Sequence, residues 1–320
     1  MITVDGLTKR YGELVAVDDL SFTVEPGAVT GFIGANGAGK STTMRMVLGL
    51  DAPTAGTATI DGKRYRSLAR PARTVGALLD PRCVHPGRSA RDHLRWMAAA
   101  AGIGKARIDE VLELTGIAHA ADRRVGGFSL GMRQRLGIAG ALLGDPEVLL
   151  LDEPLNGLDP DGIRWVRELL RGMAVQGRTV FVSSHLLNEM EHTAERIVVI
   201  GHGKLLATGT VAELRSHTMV LRIAPADPRA SQVLADALSR AGGRVEVDRS
   251  TDSGGLAVRG LPPEAAGRIA LERGVALREL AMHDRGLEDT FLALSHGTEP
   301  AAAADPAARP TEALSRGGVS

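Results

Sequence analysis

The chain has 320 residues, of which 44% are hydrophobic, so it can form one large globular domain and a smaller one. Its 38 lysines and arginines balance 38 aspartates and glutamates, and this balance gives no overall field that would favour nucleic acid or an anionic membrane surface. The single cysteine, Cys83, excludes an internal disulfide and a four-cysteine zinc site, which favours a reducing compartment, the cytosol.

Neither a signal peptide nor a membrane span is expected from the sequence. Residues 1–5 lack the charged and then apolar pattern of a signal peptide. No uncharged apolar stretch approaches the roughly 18–20 residues that cross a bilayer. If the protein works at a membrane, we expect another polypeptide to supply the spans.

Residues 1–218 alternate short apolar strands with helical stretches, which predicts an α/β fold with a mostly parallel sheet covered by helices. The beginning of the chain differs from this pattern. Residues 2–4 and 20–24 have the pattern of half-buried strands, which predicts a small antiparallel sheet beside the core.

A glycine-rich loop follows a buried strand predicted at 29–33 and precedes a helix predicted at 41–48. The loop fits the pattern G-x-x-x-x-G-K-[ST] with Gly34, Ala35, Asn36, Gly37, Ala38, Gly39, Lys40 and Ser41. Backbone N–H groups converge on a phosphate only where side chains are absent, and a helix N-terminus adds partial positive charge. We therefore expect ATP here, with Lys40 on the β- and γ-phosphates, Ser41 on Mg²⁺ and Thr42 on the α-phosphate. A chance glycine-rich turn is the alternative.

Strand patterns disappear between about residues 80 and 145, where helices are predicted at 90–101 and 108–114. This indicates an inserted helical subdomain. Within it, residues 128–136 form a polar turn that enters a helix, and Ser129 with the free N–H groups of such a turn forms an anion site. An ordinary N-cap explains the same residues, and the residues alone favour that simpler explanation.

Two acidic residues follow the apolar strand predicted at 148–151. Ligands of open α/β sheets bind beyond the carboxyl ends of the strands, so we expect Asp152 to hold Mg²⁺, through water, beside Ser41. Glu153 is then placed to orient and deprotonate the water that attacks the γ-phosphate. A solvated turn after a core strand is the alternative.

A further apolar strand, beginning at Phe181, runs into a polar cluster that ends in His185. We expect this histidine at the same edge of the sheet as Asp152 and Glu153, where it can hydrogen-bond the γ-phosphate. A lone histidine after a strand is by itself more often a surface or cap residue. Its spacing after Glu153 favours the functional interpretation.

The C-terminal part predicts a separate, smaller α+β unit at 219–297. The pattern gives strands at 219–224, 244–249, 255–259 and 276–282 and helices at 229–241 and 263–273. This βαββαβ order suggests a ferredoxin-like domain, followed by an amphipathic helix from Leu287 to Leu294. The tail 298–320 is rich in alanine and has no aromatic residue, so we expect it to be disordered.

Taken in order, these motifs resemble those of the ATP-binding-cassette (ABC) transporter ATPases, over roughly residues 1–215. The resemblance implies a P-loop NTPase core with an antiparallel β subdomain and a helical subdomain. It implies that Tyr11 stacks on adenine, that residues 34–42 bind the phosphates, that Glu153 is the catalytic base and that His185 is the switch histidine. Residues 158–159 then belong to the segment named the D-loop.

The resemblance also implies a composite active site. Two cassettes are expected to pair head to tail, so that Ser129 and Gly131 of one contact the γ-phosphate held by Lys40 of the other. A monomer should therefore hydrolyse ATP poorly.

Two positions depart from the commonest family pattern. Asp80 stands where a glutamine usually contacts Mg²⁺ and the attacking water. Aspartate is shorter and, when ionised, only accepts hydrogen bonds, so we expect contact with the metal through a water. The signature at 128–132 reads Phe-Ser-Leu-Gly-Met instead of Leu-Ser-Gly-Gly-Gln, but it keeps the serine and the second glycine.

These variants, with the stretch 76–80 and the segment 287–292, resemble the drug- and antibiotic-export branch of the family. In that branch the ATPase is a separate chain that docks on the inner face of the cell membrane, on a permease of about six spans of about 20 residues each. We expect the permease to contact the groove near residues 80–91.

Other classes of ATPase fit less well. An ABC protein of DNA maintenance needs a long coiled-coil insertion or zinc modules, a ribosome-associated one carries two cassettes, and a small-molecule kinase has no use for residues 128–132 or His185. A soluble ABC ATPase with a regulatory or translation role stays as the alternative.

Overall fold

The computed structural model describes residues 1–247 and 255–284. Within these ranges the strands are, in chain order, β1 (Ile2–Tyr11), β2 (Leu14–Val24), β3 (Val29–Ile33), β4 (Ala55–Ile60), β5 (Val75–Leu78), β6 (Val148–Leu151), β7 (Thr179–Ser184), β8 (Arg196–Gly201), β9 (Lys204–Thr210), β10 (Met219–Pro225), β11 (Arg244–Val247), β12 (Leu256–Arg259) and β13 (Leu277–Asp284).

The α-helices in the same ranges are α1 (Lys40–Val47), α2 (Pro71–Thr74), α3 (Ala90–Ala101), α4 (Ala106–Leu114), α5 (Leu130–Leu142), α6 (Pro160–Val175), α7 (Leu187–Glu191), α8 (Val211–Thr218), α9 (Ser231–Arg240) and α10 (Pro263–Glu272). Among the described residues, no helix combines the length and the apolar character that crossing a bilayer requires.

The central sheet has the strand order β5-β6-β7-β3-β8-β9. Its strands run parallel except β9, which is antiparallel to β8. Every residue of β3, β6 and β7 is buried, as expected for strands covered by helices on both faces. The predicted parallel α/β sheet is therefore confirmed, and the loops after β3, β5, β6 and β7 leave it at one edge.

The small antiparallel sheet has the order β2-β1-β4. Its strands β1 and β2 are longer than predicted, because irregularities in their pairing interrupt the alternation of buried and exposed residues that the prediction relied on. Phe22 of β2 packs with Phe32 of β3 and Phe181 of β7, with ring centroids 5.1–5.7 Å apart. The two sheets thus share one hydrophobic core, which also receives α1.

The region from 80 to 145 is helical, as predicted. The helix α3 has the predicted bounds, and α4 begins two residues earlier than expected. Ser89 caps α3 by accepting a hydrogen bond from the backbone of Asp92, and Gly102 ends it in the left-handed conformation. Their buried faces pack with α5 in a core that continues under the central sheet.

The C-terminal unit has the predicted βαββαβ order and a hydrophobic core of its own. Its sheet is antiparallel with the order β11-β12-β10-β13, which is the ferredoxin-like arrangement. The predicted helix at Leu287–Leu294 and the tail 298–320 lie outside the described residues.

Candidate active site

The glycine-rich loop connects β3 to α1 at the carboxyl edge of the central sheet. A Cβ at Gly34 would lie 2.6 Å from the carbonyl oxygen of Ile200, and a Cβ at Gly39 would lie 2.6 Å from that of Ala16. Gly39 also has a φ of 104°, which side chains rarely adopt. The inner side of the loop therefore requires glycine, while residues 35–37 are exposed.

Lys40 begins α1 and is buried, with 6% of its side chain exposed. Its Nζ donates to the carbonyl oxygens of Gly34 at 2.6 Å and Ala35 at 3.3 Å, and it lies 3.5 Å from Oε1 of Glu153. A buried ammonium needs such partners because its desolvation is costly. The loop thus holds a cation on its inner side.

Asp152 follows β6 and is 7% exposed. Its Oδ1 accepts a hydrogen bond from the hydroxyl of Ser183, the residue before the end of β7. The same hydroxyl oxygen accepts the backbone N–H of Glu153 at 3.0 Å. Ser183 therefore fixes both acidic residues at the end of β6.

Glu153 has a φ of 51°, an uncommon conformation for a residue other than glycine. Its carboxylate lies between two groups: Oε1 is 3.5 Å from Nζ of Lys40, and Oε2 is 2.9 Å from Nδ1 of His185. Asn156 donates to Oε2 at 3.4 Å. Unusual backbone geometry that places a carboxylate beside a cation and an imidazole is typical of functional sites.

Tyr11 ends β1, and the residue is 48% exposed. Nζ of Lys9 lies 4.8 Å from the ring centroid, and the hydroxyl donates to Asp51 at 3.0 Å. Asp51 is in turn held by two hydrogen bonds from Arg45, at 2.8 and 3.0 Å. Burial, and then the hydrogen bond and charge of Asp51, raise the pKa of Tyr11. The side chain is thus anchored by its hydroxyl while about half of the residue stays accessible.

Ser129 is exposed and is the N-cap of α5, where its Oγ accepts the backbone N–H of Met132 at 3.2 Å. This is the ordinary N-cap that the residues alone favour. The interaction uses a lone pair of the hydroxyl, so the O–H proton stays available to an anion. Gly131 lies close to the segment 157–158, where an added Cβ would be 3.5 Å from the carbonyl oxygen of Gly157.

Asp80 lies two residues beyond β5, whose last residue, Leu78, accepts the backbone N–H of Asp152 at 2.7 Å. Its carboxylate accepts from Nε of Arg82 at 3.0 Å, from Nη2 at 3.1 Å and from the backbone N–H of Arg82 at 2.8 Å. The side-chain hydrogen bonds of Arg82 lower the pKa of Asp80, against the opposing effect of burial.

The structure thus brings Lys40, Asp152, Glu153 and His185 together in one contact network. Tyr11, Asp80 and Ser129 make their own contacts on other elements.

Comparison with known proteins agrees with this arrangement. The family model described as "ABC transporter" matches residues 17–156, and one described as "Domain of unknown function" matches residues 227–288. The chain is 45% identical to the bacitracin transport ATP-binding protein BcrA of Bacillus licheniformis, over 64% of this chain and 68% of that protein. The chain belongs to the ABC transporter family.

Two other relatives match this chain over a larger share of their own length. The lantibiotic transport ATP-binding protein SrtF of Streptococcus pyogenes is 36% identical over 64% of this chain and 89% of that protein. The Nod factor export ATP-binding protein I of Burkholderia lata is 36% identical over 90% of this chain and 94% of that protein. The names of these three relatives describe transport of bacitracin, transport of a lantibiotic and export of a Nod factor.

Solved structures confirm the fold. The ATP-binding subunit of an ABC transporter superimposes with a TM-score of 0.62 at 28% identity, over 68% of this chain and 92% of that chain. A dimeric cassette bound to ADP and Pi, at 23% identity, matches with a TM-score of 0.59 over 66% and 99% of the two chains. The prediction of an ABC ATPase, the ATP-hydrolysing subunit of a transporter, is therefore confirmed. The comparisons do not support the alternative, a soluble ABC ATPase with a regulatory or translation role.

Two residues of this ABC site were not among those predicted from the sequence. Ser183, which holds Asp152 and Glu153, was visible only as a polar residue at the end of a strand. Gln134 of α5 is buried, and its Nε2 donates to the backbone carbonyl of Glu153 at 3.3 Å. Its polarity on a buried helix face is a signal, but its partner follows only from the fold.

Proposed function

We propose that Glu153 is the general base of ATP hydrolysis and that Lys40 and His185 position it and the γ-phosphate. The observation that carries this proposal is the Glu153 carboxylate, which lies 3.5 Å from the Lys40 ammonium and 2.9 Å from the His185 imidazole. A carboxylate fixed by both oxygens accepts a proton from water without having to reorient first. The His185 ring, on the neighbouring strand end, can then hydrogen-bond the phosphate.

The phosphate-binding role belongs to the loop and the start of α1. We assign the phosphates to the loop made of Gly34, Asn36, Gly37, Ala38, Gly39, Lys40, Ser41 and Thr42. The exposed outer side of the loop and the helix N-terminus that follows it support this assignment. Adenine is assigned to the accessible part of the Tyr11 ring, since aromatic rings stack with offset geometry.

Mg²⁺ is assigned to Ser41 and Asp152, with Asp80 as a contact through water. The donor set fits this ion, because it offers hydroxyl and carboxylate oxygens, the hard ligands that Mg²⁺ takes beside water and phosphate oxygens. Asp152 is buried and already oriented by Ser183. When bound, the ion would neutralise phosphate charge.

The working unit is proposed to be a head-to-tail pair of copies of this chain. Ser129 is exposed at the start of α5, and its O–H proton is available. Together with Gly131 it would contact the γ-phosphate held by Lys40 of the partner copy. Among the described residues, no hydrogen bond or ion pair joins Ser129 to Lys40 within one chain, although each lies at a helix N-terminus, as expected if they meet across the pair.

The transport partner is proposed to be a permease of about six spans of about 20 residues each, encoded as a separate chain. The cargo is proposed to be a drug, an antibiotic or another hydrophobic compound that is exported, since the named relatives handle bacitracin, lantibiotics and Nod factors. This chain would act on the cytoplasmic face of the membrane through that permease. Residues 1–218 form the ATPase domain in this proposal, and 219–297 form an accessory domain.

Copurification tests the proposed partner. The tagged Glu153→Gln chain is recovered from detergent-solubilised native membranes with ATP, and the Lys40→Ala chain serves as the control that should not close around ATP. We expect a membrane protein of about six spans in near-stoichiometric amount with Glu153→Gln, and we expect it to stimulate the ATPase of the wild-type chain. Recovery of soluble proteins or ribosomes alone would contradict transport.

A further inference from the structure

The strand β13 is one edge of the C-terminal sheet. Within the described part of the chain it pairs on one side only, with β10, and it has eight residues, whereas the opposite edge strand β11 has four. Natural proteins keep edge strands short or interrupt them with proline, lysine or a bulge, because an edge presents unpaired N–H and C=O groups to other chains. From Glu279 to Asp284 the strand pairs regularly with β10, and it contains neither proline nor lysine.

The margin of the sheet beside β13 is partly apolar. Leu280 and Met282 lie opposite core residues of β10, on the face that packs against the helices. They are nevertheless 36% and 47% exposed. Leu271 of the neighbouring helix α10 is 80% exposed. Pairing of β13 with another strand would remove part of this apolar surface from water, which is favourable.

The order of residues along β13 suits antiparallel pairing with β13 of a second copy. A two-fold axis perpendicular to the sheet keeps the faces of the two strands aligned, so it passes beside one residue of β13 in each copy. When that residue is Ala281, every other residue from 278 to 284 lies opposite one of complementary character. The opposed pairs are then Arg278 with Asp284, Glu279 with His283 and Leu280 with Met282.

Neighbouring registers lose this match. An axis at Leu280 would place Arg278 opposite Met282. An axis at Met282 would place Leu280 opposite Asp284. Parallel pairing in register would place each charge opposite its like, which is destabilising. The sequence of β13 therefore specifies one register for pairing with itself.

The two carboxylates of these pairs also contact their own chain. Nη2 of Arg215 donates to Asp284 at 3.0 Å, and Nε of Arg222 lies 3.6 Å from Oε1 of Glu279. The Asp284 and Glu279 side chains nevertheless keep 32% and 37% of their surface exposed. A carboxylate accepts several hydrogen bonds, so each can bind a residue of the second copy in addition.

We propose that β13 pairs antiparallel with β13 of a second copy of this chain, so that two four-stranded C-terminal sheets become one continuous sheet. Main-chain hydrogen bonds supply the affinity, and the opposed side chains fix the register. This contact goes beyond the proposed head-to-tail pairing of the cassettes, because it uses other residues and needs no nucleotide. One strand edge is a small interface, so the pair is weak by itself. It would keep two copies near each other while their ATP sites are empty.

Cysteine cross-linking of the full chain without nucleotide tests the register. The variants are made in a Cys83→Ser background, because Cys83 is the one cysteine of the chain. With a mild oxidant, Ala281→Cys should form a disulfide-linked dimer, since opposed Cβ atoms in a sheet lie about 4.5–5.5 Å apart. Glu279→Cys alone and His283→Cys alone should not, because their cysteines are offset by four residues, about 13 Å. An equal mixture of these two variants should cross-link.

Charge reversal measures the contribution of the opposed ions. Arg278→Asp faces Asp284 of the second copy with a like charge, and the symmetry repeats this repulsion. We therefore expect self-association of the nucleotide-free chain, measured by sedimentation equilibrium, to weaken about tenfold. Adding Asp284→Arg restores opposite charges and should recover most of the loss. Arg244→Asp, an exposed change on the opposite edge strand β11, is the matched control and should associate as the wild-type chain does.

The outcomes separate this inference from the proposed function, because ATP turnover is measured on each variant as well. Cross-linking of Ala281→Cys and of the mixture without ATP supports pairing through β13. Monomers in every variant that still hydrolyses ATP would overturn the inference and leave the proposed function intact. Cross-linking of Glu279→Cys alone as fast as Ala281→Cys would indicate random collision and would also overturn it. A dimer that needs ATP would assign the contact to the cassettes, against an interface that forms without nucleotide.

Discussion

Oε1 of Glu153 lies 3.5 Å from Nζ of Lys40. This contact connects the end of β6 to the start of α1. The other oxygen of the Glu153 carboxylate contacts His185, which follows β7. The Glu153 side chain, which follows β6, therefore contacts residues that follow β3 and β7 at the same edge of the sheet.

Replacing Ser183 with alanine should weaken the metal site. The substitution removes the donor to the buried Asp152 carboxylate and the acceptor for the Glu153 N–H, so we expect about 1–3 kcal/mol lower free energy of unfolding. Affinity for Mg²⁺, measured by the Mg²⁺ dependence of ATP hydrolysis, should fall about tenfold or more. Ser184→Ala is the matched control, because the hydrogen bonds of the Ser184 hydroxyl within the described structure are with the backbone of Leu186. Unchanged Mg²⁺ dependence in Ser183→Ala would contradict the positioning role.

The composite site predicts restoration of activity by mixing two inactive variants. Lys40→Ala and Ser129→Arg should each abolish hydrolysis in a symmetric pair. A mixed pair holds one intact site, so an equal mixture should regain about one quarter of the wild-type rate. Mixing Lys40→Ala with Glu153→Gln is the control, since both changes damage the same half-site and no intact site can form. Hydrolysis that stays absent in the first mixture would argue against head-to-tail pairing.

Much of this architecture follows from local sequence. The strands β3 and β6 and the helix α3 were predicted with nearly correct bounds, because a continuous apolar run or a capped amphipathic stretch encodes them locally. The role of Ser183 was not predictable, since it depends on how β7 is aligned with β6. The pairing of Asp80 with Arg82 was also missed, because the sequence does not specify which of several nearby partners a side chain takes. The register between distant strands and the hydrogen-bond partner of each side chain therefore could not be predicted without the structure.

Asp51 should position Tyr11 for adenine. The Asp51→Asn change removes the charge that helps to raise the pKa of Tyr11, so that pKa should move back toward its ordinary value. Absorbance titration in a Tyr65→Phe background isolates Tyr11, because these are the two tyrosines of the chain. We expect ATP to bind severalfold more weakly with little change in kcat, whereas Asp5→Asn on the same strand should change neither. Tighter or equal ATP binding in Asp51→Asn would count against the assignment.

The Asp51 carboxylate should also make the free energy of unfolding depend on pH in the acid range. The hydrogen bonds from Arg45 lower the pKa of Asp51 in the folded chain. Its stabilising contribution is therefore present above the unfolded-state pKa of about 3.9 and is lost as the pH falls through the lower folded-state value. Urea unfolding at about pH 6 and about pH 3 should show that acid costs the wild-type chain up to about 1 kcal/mol more than it costs Asp51→Asn. Equal losses in the two proteins would contradict this linkage.

The most direct test of the central claim is ATP turnover by Glu153→Gln beside ATP binding by the same protein. Glutamine keeps the size of the side chain but cannot accept a proton from water, so the rate should fall by about 10²–10⁴-fold while ATP still binds. Glu168→Gln, at an exposed position of α6, should behave as wild type. Turnover by Glu153→Gln at the wild-type rate would show that another group activates the water, and the account of this site would be wrong.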